Sequence, residues 1–340
     1  MVVLNWNGGE DTLRCLESLD AVQYENWETI VIDNGSSDGS VEEIRKTHPG
    51  LVLIETGTNL GFTGGNNVGI TWALEHEAEF VLLLNNDTVV APDFLSALVS
   101  AAEGHPDAGV LGAKIYFWDS KRLWYAGSRW RATWAGFEHV GQGTIDNGID
   151  FEEIRDTAYV SGCAMFLRSS AVRSIGMLDP RFFLLFEETE WCSRARTAGY
   201  HCLLVPSARV WHRVSVSFGG QSGPLYVYFW IRNRLLWAEL HLPFRQRTAV
   251  WADTVGMLFP PWAIVLIVWH AMRGRYSARQ VYWEVLKKAK EVGSWLRDPR
   301  EWAVSRARCQ GVWDYLTRRF GDCPAWVRAA AVRDNSRAGA

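Results

Sequence analysis

An α/β fold is the expectation for this chain: a mostly parallel sheet flanked by helices, with a helical, aromatic-rich C-terminal extension. Three features set that expectation. Short apolar runs alternate with amphipathic stretches through the first half, several of those runs end in polar, turn-rich segments, and past Gly223 the texture turns aromatic and basic. The candidate strands are Val2–Asn5, Thr29–Asp33, Leu51–Glu55, Phe80–Leu84 and Val110–Phe117. Between them lie helical patterns, among them Leu13/Leu16/Leu19 and Asn66–Glu77. Apolar strands separated by helical segments of about 10–15 residues indicate βαβ units and a sheet covered on both faces.

Later elements follow the same logic. Residues 118–157, rich in Trp and Gly, read as an irregular excursion over the sheet. Ala158–Leu167 reads as a strand, Glu187–Ala198 as a helix closed by Gly199, and Val210-Trp211-His212 as the end of a further strand. This sets a first domain over 1–224, divided at 117/118, and a helical region over 225–340. In that region Leu225–Leu242 is aromatic and apolar with Arg232 and Arg234 embedded. Ala249–Ala271 is apolar but broken by Asp253 and Pro260-Pro261. Such breaks do not suit a spanning helix, and flanking Arg245, Arg247, Arg273 and Arg275 match anionic headgroups. A kinked or in-plane element at a bilayer surface fits; the alternative is a helical hairpin buried against the first domain.

Composition narrows the class. The chain has 340 residues, 48% hydrophobic and 21% charged, which excludes a disulfide miniprotein and wholesale disorder. The net charge of −3 conceals a split: residues 1–224 carry 16 basic and 29 acidic side chains, whereas 225–340 carry 19 and 9. An acidic body of −13 and a basic tail of +10 meet different partners. Six scattered cysteines show neither C-x-x-C nor metal-ligand spacing, and no leader pattern precedes the first strand. A reducing compartment, the cytoplasm, is expected. Nucleic-acid binding is not, because the basic residues sit among apolar stretches without a recognition motif.

Open α/β sheets bind ligands beyond the carboxyl ends of their strands. The polar ends here are Asn5-Trp6-Asn7-Gly8-Gly9, Asp33-Asn34-Gly35-Ser36-Ser37-Asp38-Gly39 and Asn85-Asn86-Asp87. A carboxylate at such an end can accept hydrogen bonds from a base imide or ribose hydroxyls, or can form an Asx-turn and cap with no ligand. The stretch Asn59–Asn67 is Gly-rich and leads into a helix whose N–H groups could face a phosphate, yet it matches neither the Walker nor the dinucleotide pattern. Asp87 suits a hard cation that shares its shell with phosphate oxygens and water; its other reading is a turn residue. Glu187, Glu188 and Glu190 follow the apolar run Phe182–Phe186. Acids there favour a helix N-terminus, and beside aromatics they also suit a general base. His212 stands alone after a strand-like run, as a structural imidazole or a metal ligand.

Taken in order, Asn5-Trp6-Asn7-Gly8, Asp33–Ser40, Asn59-Leu60-Gly61-Phe62, Gly65-Asn66-Asn67, Asn85-Asn86-Asp87 and Phe186-Glu187-Glu188 resemble family 2 glycosyltransferases of the GT-A fold. The likeness is greatest to the rhamnosyltransferase-like branch and covers about residues 1–240. It implies an inverting, metal-dependent transfer from a nucleoside-diphosphate sugar, preferentially dTDP-rhamnose, to a lipid-linked or polysaccharide acceptor. Asp33 would hold the base, with Asp38 in the same pocket. Asn5, Asn7, Asn34, Asn59, Gly61, Phe62, Asn66 and Asn86 would lie on the donor side, and Gly162 in the loop shaping the sugar pocket. Asp87 would bind Mg²⁺ or Mn²⁺ with His212 joining it. Glu188 would be the base, with Glu187 beside it. The enzyme would then work peripherally on the inner face of the cell membrane.

Three departures from the family pattern stand out. Asn85 takes the first D-x-D position, Glu188 stands where Asp is commoner, and Met1 lies almost inside the first strand. Either the start lies upstream or that strand is short. Two other classes remain: a sugar nucleotidyltransferase, against which Arg14 is the only basic residue near Asn5–Asp11, and a membrane-attached module that binds nucleotide sugars without turnover.

Overall fold

Four short strands carry the polar segments to one edge. In the computed structural model, which describes residues 1–131, 136–213, 223–258, 280–281, 283, 285–286 and 299–338, these are β1 (Val2–Asn5), β2 (Ile30–Asp33), β3 (Val52–Glu55) and β4 (Phe80–Asn85). They run parallel in the order β3-β2-β1-β4, with Asn5 opposite Asp33 and Leu4 opposite Asn85. Helices α1 (Gly9–Leu19), α2 (Ser40–Thr47) and α3 (Gly61–Glu75) connect them. The crossover through α3 returns the chain to the far side of β1. The reversal of strand order therefore falls between β1 and β4, where open α/β sheets form their ligand crevice.

The expected helix over Asn66–Glu77 begins earlier, at Gly61. The glycines explain why. A Cβ on Gly65 would come within 2.4 Å of Leu4 Cδ1, and one on Gly69 within 2.3 Å of Val2 Cγ1. Spaced four apart, they lie on one helix face and let α3 pack closely on β1. The Gly-rich pattern serves that packing, and the supposed loop is the first turn of the helix.

Next come β5 (Thr88–Val90), α4 (Phe94–Gly104) and β6 (Ala108–Phe117). The excursion is more ordered than expected, with short strands β7 (Leu123–Tyr125), β8 (Ser128–Arg131), β9 (Gly136–His139) and β10 (Arg155–Asp156). The apolar run Ala158–Leu167 becomes β11 only over Ala164–Arg168, because Ser161–Cys163 forms a turn closed by Ala164 N–H to Ser161 O at 3.3 Å. Helices α5 (Ser169–Ile175) and α6 (Glu187–Thr197) precede β12 (His201–His212). Strand β11 is antiparallel to both β4 and β6, while β12 runs parallel to β6. Hence the sheet is mixed, mostly parallel and apolar on both faces.

Lys114 lies inside this core, pairing with Asp146 at 2.9 Å and with Glu152. Both acids belong to the excursion, and Tyr116 donates to Asp146 at 2.5 Å. Removing one partner of a buried pair costs about 3–5 kcal/mol. Lys114→Met is expected near the low end, about 3 kcal/mol in urea unfolding, because Glu152 stays half-exposed. Faster proteolysis within 142–152 should accompany it.

By internal contacts the chain separates into one unit of Met1–Trp130 with Phe137–Val214 and another of Arg131–Gly136 with Ser215–Ala340. In the second, α7 (Pro224–His241) is buried nearly all round and packs against α8 (Phe244–Leu258), α9 (Pro299–Leu316) and α10 (Ala325–Ala338). Arg232 and Arg234, embedded in the apolar stretch, are interior. Arg232 donates to Gly321 O at 2.6 Å and stacks on Phe229, and Arg234 pairs with Asp253 at 2.7 Å. Of the apolar stretch Ala249–Ala271, only the part in α8 is described; Pro260-Pro261, Arg273 and Arg275 lie outside the described residues. Among the described residues no helix is long and apolar enough to cross a membrane.

Candidate active site

The β1 and β2 ends are tied to each other by side-chain amides. Asn5 Nδ2 donates to Asp33 Oδ1 and Ser40 Oγ, both at 2.8 Å, and its Oδ1 accepts from Thr12 Oγ1 at 2.9 Å. Asp33 Oδ2 accepts from Ser36 N–H at 3.0 Å, so both of its oxygens hold the loop. Asn7 Oδ1 accepts from Ser37 N–H at 2.7 Å. Asp38 accepts from the Ser40 amide and hydroxyl. Some burial opposes ionisation of Asp38, but these bonds and the Gly9 N–H prevail and hold its carboxyl below the usual range. Asn5, Asp33 and Asn34 are buried, whereas Asn7 and Asp38 remain exposed. Asn86 bridges to this network, donating to Thr12 Oγ1 at 2.9 Å.

At the start of α3 the amide groups are already engaged. Asn34 Oδ1 accepts from Leu60 N–H at 2.9 Å, Asn59 Oδ1 from Gly61 N–H at 2.8 Å, and Phe183 O from Thr63 N–H at 3.1 Å. Asn66 is buried and donates to Phe62 O at 2.9 Å. Protein acceptors thus occupy three of the N–H groups that a phosphate was expected to meet.

Beyond β4, Asp87 Oδ1 lies 3.1 Å from His212 Nε2 at the end of β12. Both side chains are largely buried, yet neither Asp87 Oδ1 nor His212 Nδ1 completes a hydrogen bond. Burial opposes the charge on His212, but Cys163 and Asp87 outweigh it and hold the imidazole protonated well above the histidine range. Burial pushes the Cys163 thiol up, partly offset by His212. Trp124 stands edge-on to His212 with ring centres 5.0 Å apart, and to His139 at 4.8 Å. Burial holds His139 neutral, lowering it to about 4.

A buried carboxylate and an imidazole 3.1 Å apart suit a divalent cation that displaces the proton between them. Among the described residues no group of three or more His, Cys, Asp or Glu could hold an ion. One carboxylate and one imidazole fit a cation that completes its shell with phosphate oxygens and water.

The acidic cluster sits on a strained approach. Phe183, Leu185 and Phe186 have φ of 60°, 69° and 74°, a left-handed conformation costing on the order of 1–3 kcal/mol for each such residue. Helix α6 starts immediately after, with Glu187, Glu188 and Glu190 in its first turn and Trp191 anchored to Gly176 O at 2.8 Å. Glu187 is buried with Oε2 unpaired, and Glu188 is half-buried. Burial, reinforced by the charge of Glu188, pushes Glu187 well above the usual carboxylate range. Burial raises Glu188 too, with amide and hydroxyl donors working against it. Glu188 is the less buried of the two and accepts from Thr189.

The Ser161–Cys163 turn joins these parts. A Cβ on Gly162 would lie 3.4 Å from the Phe62 ring and 3.8 Å from Glu188 Cβ, and Cys163 O accepts from Asn85 N–H at 3.0 Å. Glu188 and Phe62 therefore reach one side of the turn, and the Asn85–Asp87 segment the other. Sequence reasoning placed Ser36 and Ser40 in the Asp33–Ser40 motif without their role as supports, and missed Thr12, the neighbour Cys163 and the edge-on Trp124. Only the polar strand ends, which need partners when buried, hint at Thr12.

Gly61 couples the two sides. Its φ is +76°, and a Cβ there would sit 2.5 Å from Phe183 O and 2.7 Å from the Phe183 ring. Gly61→Ala is expected to displace the strained segment that leads to Glu188 and to lower kcat about tenfold. Comparing kcat with the folded fraction from circular dichroism checks that this loss exceeds any loss of fold.

Comparison with known proteins gives this geometry its setting. Residues 1–175 match the model of glycosyl transferase family 2. Over 238 residues the chain is 26% identical to an N-acetylglucosaminyl-diphospho-decaprenol L-rhamnosyltransferase of Mycobacterium tuberculosis, covering 64% of this chain and 77% of that one. It is 23% identical over 259 residues to the dTDP-rhamnosyl transferase RfbF of Shigella flexneri, covering 71% and 80%. Among solved structures, the mannosyltransferase PcManGT of Pyrobaculum calidifontis, in complex with GDP-Man and Mn²⁺, superposes with a TM-score of 0.54 at 15% identity, covering 94% of this chain and 86% of that one. GalNAc-T7 with UDP, GalNAc and Mn²⁺ gives 0.54 at 17%, covering 70% of this chain and 47% of that one. These structural likenesses concern the fold alone, a GT-A fold. The chain belongs to glycosyl transferase family 2 and is a glycosyltransferase.

Proposed function

We propose that this glycosyltransferase moves rhamnose from dTDP-rhamnose, with inversion, to a lipid-linked or polysaccharide acceptor at the inner face of the cell membrane, the 1–224 part carrying the chemistry. The observation that carries the reading is the meeting of Glu188 and Phe62 with the Asn85–Asp87 segment at the turn around Gly162. The names of the two rhamnosyltransferase relatives support the donor.

Asp87 and His212 would hold Mg²⁺ or Mn²⁺, which supplies positive charge against the diphosphate as it leaves. Glu188, the less buried acid at the Gly162 turn, takes the proton from the acceptor hydroxyl. That oxygen bonds to the anomeric carbon as the bond to the diphosphate oxygen breaks on the opposite face. One displacement inverts the centre and needs one base. Glu187, buried beside that base, has its ionisation disfavoured by burial and by the charge of Glu188. Phe62 and Gly162 form an apolar, close-fitting wall beside the base. Asp33 and Asp38 stabilise the β2 loop, Asp38 with its carboxylate toward solvent on the donor side.

The test is a donor panel of dTDP-rhamnose, UDP-sugars and GDP-mannose, assayed by nucleotide release over membrane extract. Transfer from dTDP-rhamnose with inverted anomeric configuration is expected; exclusive use of another donor would overturn the rhamnosyl assignment.

A further inference from the structure

We infer that the outer face of α9 is a membrane-contact surface that lies on an anionic phospholipid bilayer. Trp302, Arg306, Cys309, Trp313 and Leu316 are all exposed, the two tryptophans at 61% and 56% and Leu316 at 56%. Spacings of 4, 3, 4 and 3 residues place them within a strip about 80° wide at 100° per residue. The opposite face, Val304, Ala307, Gly311, Asp314 and Tyr315, is buried and packs on α7, where a Cβ on Gly311 would stand 2.8 Å from Tyr228 O. An outward helix face in water is ordinarily polar. This one carries two tryptophans, a leucine and a thiol around a single cation.

Charge complementarity identifies the occupant. The strip holds no acid: of the two acids in α9, Asp314 is buried and accepts from Tyr228 at 2.7 Å, and Glu301 lies off the strip. Arg306 stacks over Trp326 at 4.2 Å, which leaves its hydrogen-bonding edge available to phosphate. The helical region as a whole carries +10. Tryptophan seats at the headgroup level, leucine reaches the acyl boundary, and arginine meets anionic headgroups. This surface was not foreseen from sequence, where the apolar run over 249–271 drew attention. It refines the membrane-associated part of the proposed function and rests on that part, not on the chemistry of transfer.

Cys309 is the one exposed thiol of the six, so the full chain can be labelled there with an environment-sensitive fluorophore. With vesicles containing phosphatidylglycerol, emission should shift to the blue and be quenched by spin-labelled lipid, while phosphatidylcholine vesicles give little change. Flotation of the unlabelled chain should show binding that falls about tenfold or more in Trp302→Ser/Trp313→Ser and several-fold in Arg306→Glu. Ile149→Ser, exposed in the other unit, should bind as the parent does. Donor hydrolysis without acceptor should be unchanged in all of them, so loss of vesicle binding is separable from failure of the transferase reading. Unaltered vesicle binding in the double variant would overturn the inference. So would a wild type that ignores anionic vesicles, or a double variant that only dissociates a dimer.

Discussion

Glu188→Gln is expected to lower kcat by about 10²–10⁴-fold, the usual worth of a positioned general base. The substitution keeps size and hydrogen bonding but removes the proton acceptor. Glu188 stands at the Gly162 wall beside Phe62, so the donor affinity should hold. The wild-type profile carries the same signature. Burial raises both Glu187 and Glu188, so the base becomes available only as pH rises above the ordinary carboxylate value of 4.5. The acidic limb of kcat should therefore lie above that value, and it should vanish in the variant. Stability runs the opposite way. A carboxyl raised in the folded state favours folding fully at low pH, and that contribution fades from about the unfolded value upward as the unfolded chain ionises first. Glu187→Gln should flatten this decline and raise the melting temperature near neutral pH.

Asp87→Ala is expected to abolish divalent-dependent transfer, a loss on the order of 10³-fold for an interaction worth several kcal/mol. Asp87 is the largely buried carboxylate at the strand end, facing His212 at 3.1 Å, and no second acid replaces it because Asn85 occupies the other position of the pattern. Mn²⁺ binding followed by electron paramagnetic resonance should weaken in step with activity. His212→Ala should cost less, about 10–100-fold, since the carboxylate remains.

The fold was legible where the chain is most regular. The βαβ portion announces itself because strands buried on both faces must be apolar along their length, as Val81–Leu84 are. Its polar ends at Asn5, Asp33 and Asn85 stand out for the same reason. The first turn of α3, from Gly61 to Gly65, was not legible as a helix, because low helix propensity was overridden at Gly65 by the close approach to Leu4. The partners that let Arg232 and Arg234 sit inside the helical unit could not be read from sequence, because Asp253 and Gly321 come from other segments of the chain. Of the site, the acids that carry chemistry were visible as residue types. The roles of Asn5, Asp33 and Asn34 as loop fasteners required three dimensions, since the bonds Asn5–Asp33 and Asn34–Asn59 join residues 28 and 25 positions apart. The strain at Phe183, Leu185 and Phe186 has no local signal either, because bulky residues are the least expected at positive φ.

The most direct test of the account is release of dTDP from dTDP-rhamnose over membrane extract, measured with Mn²⁺ present, after chelation, and after Mn²⁺ is restored. The account predicts release that stops on chelation, returns with the ion, and is lost in both Asp87→Ala and Glu188→Gln. Release that survives chelation, or full activity in both variants, would contradict it.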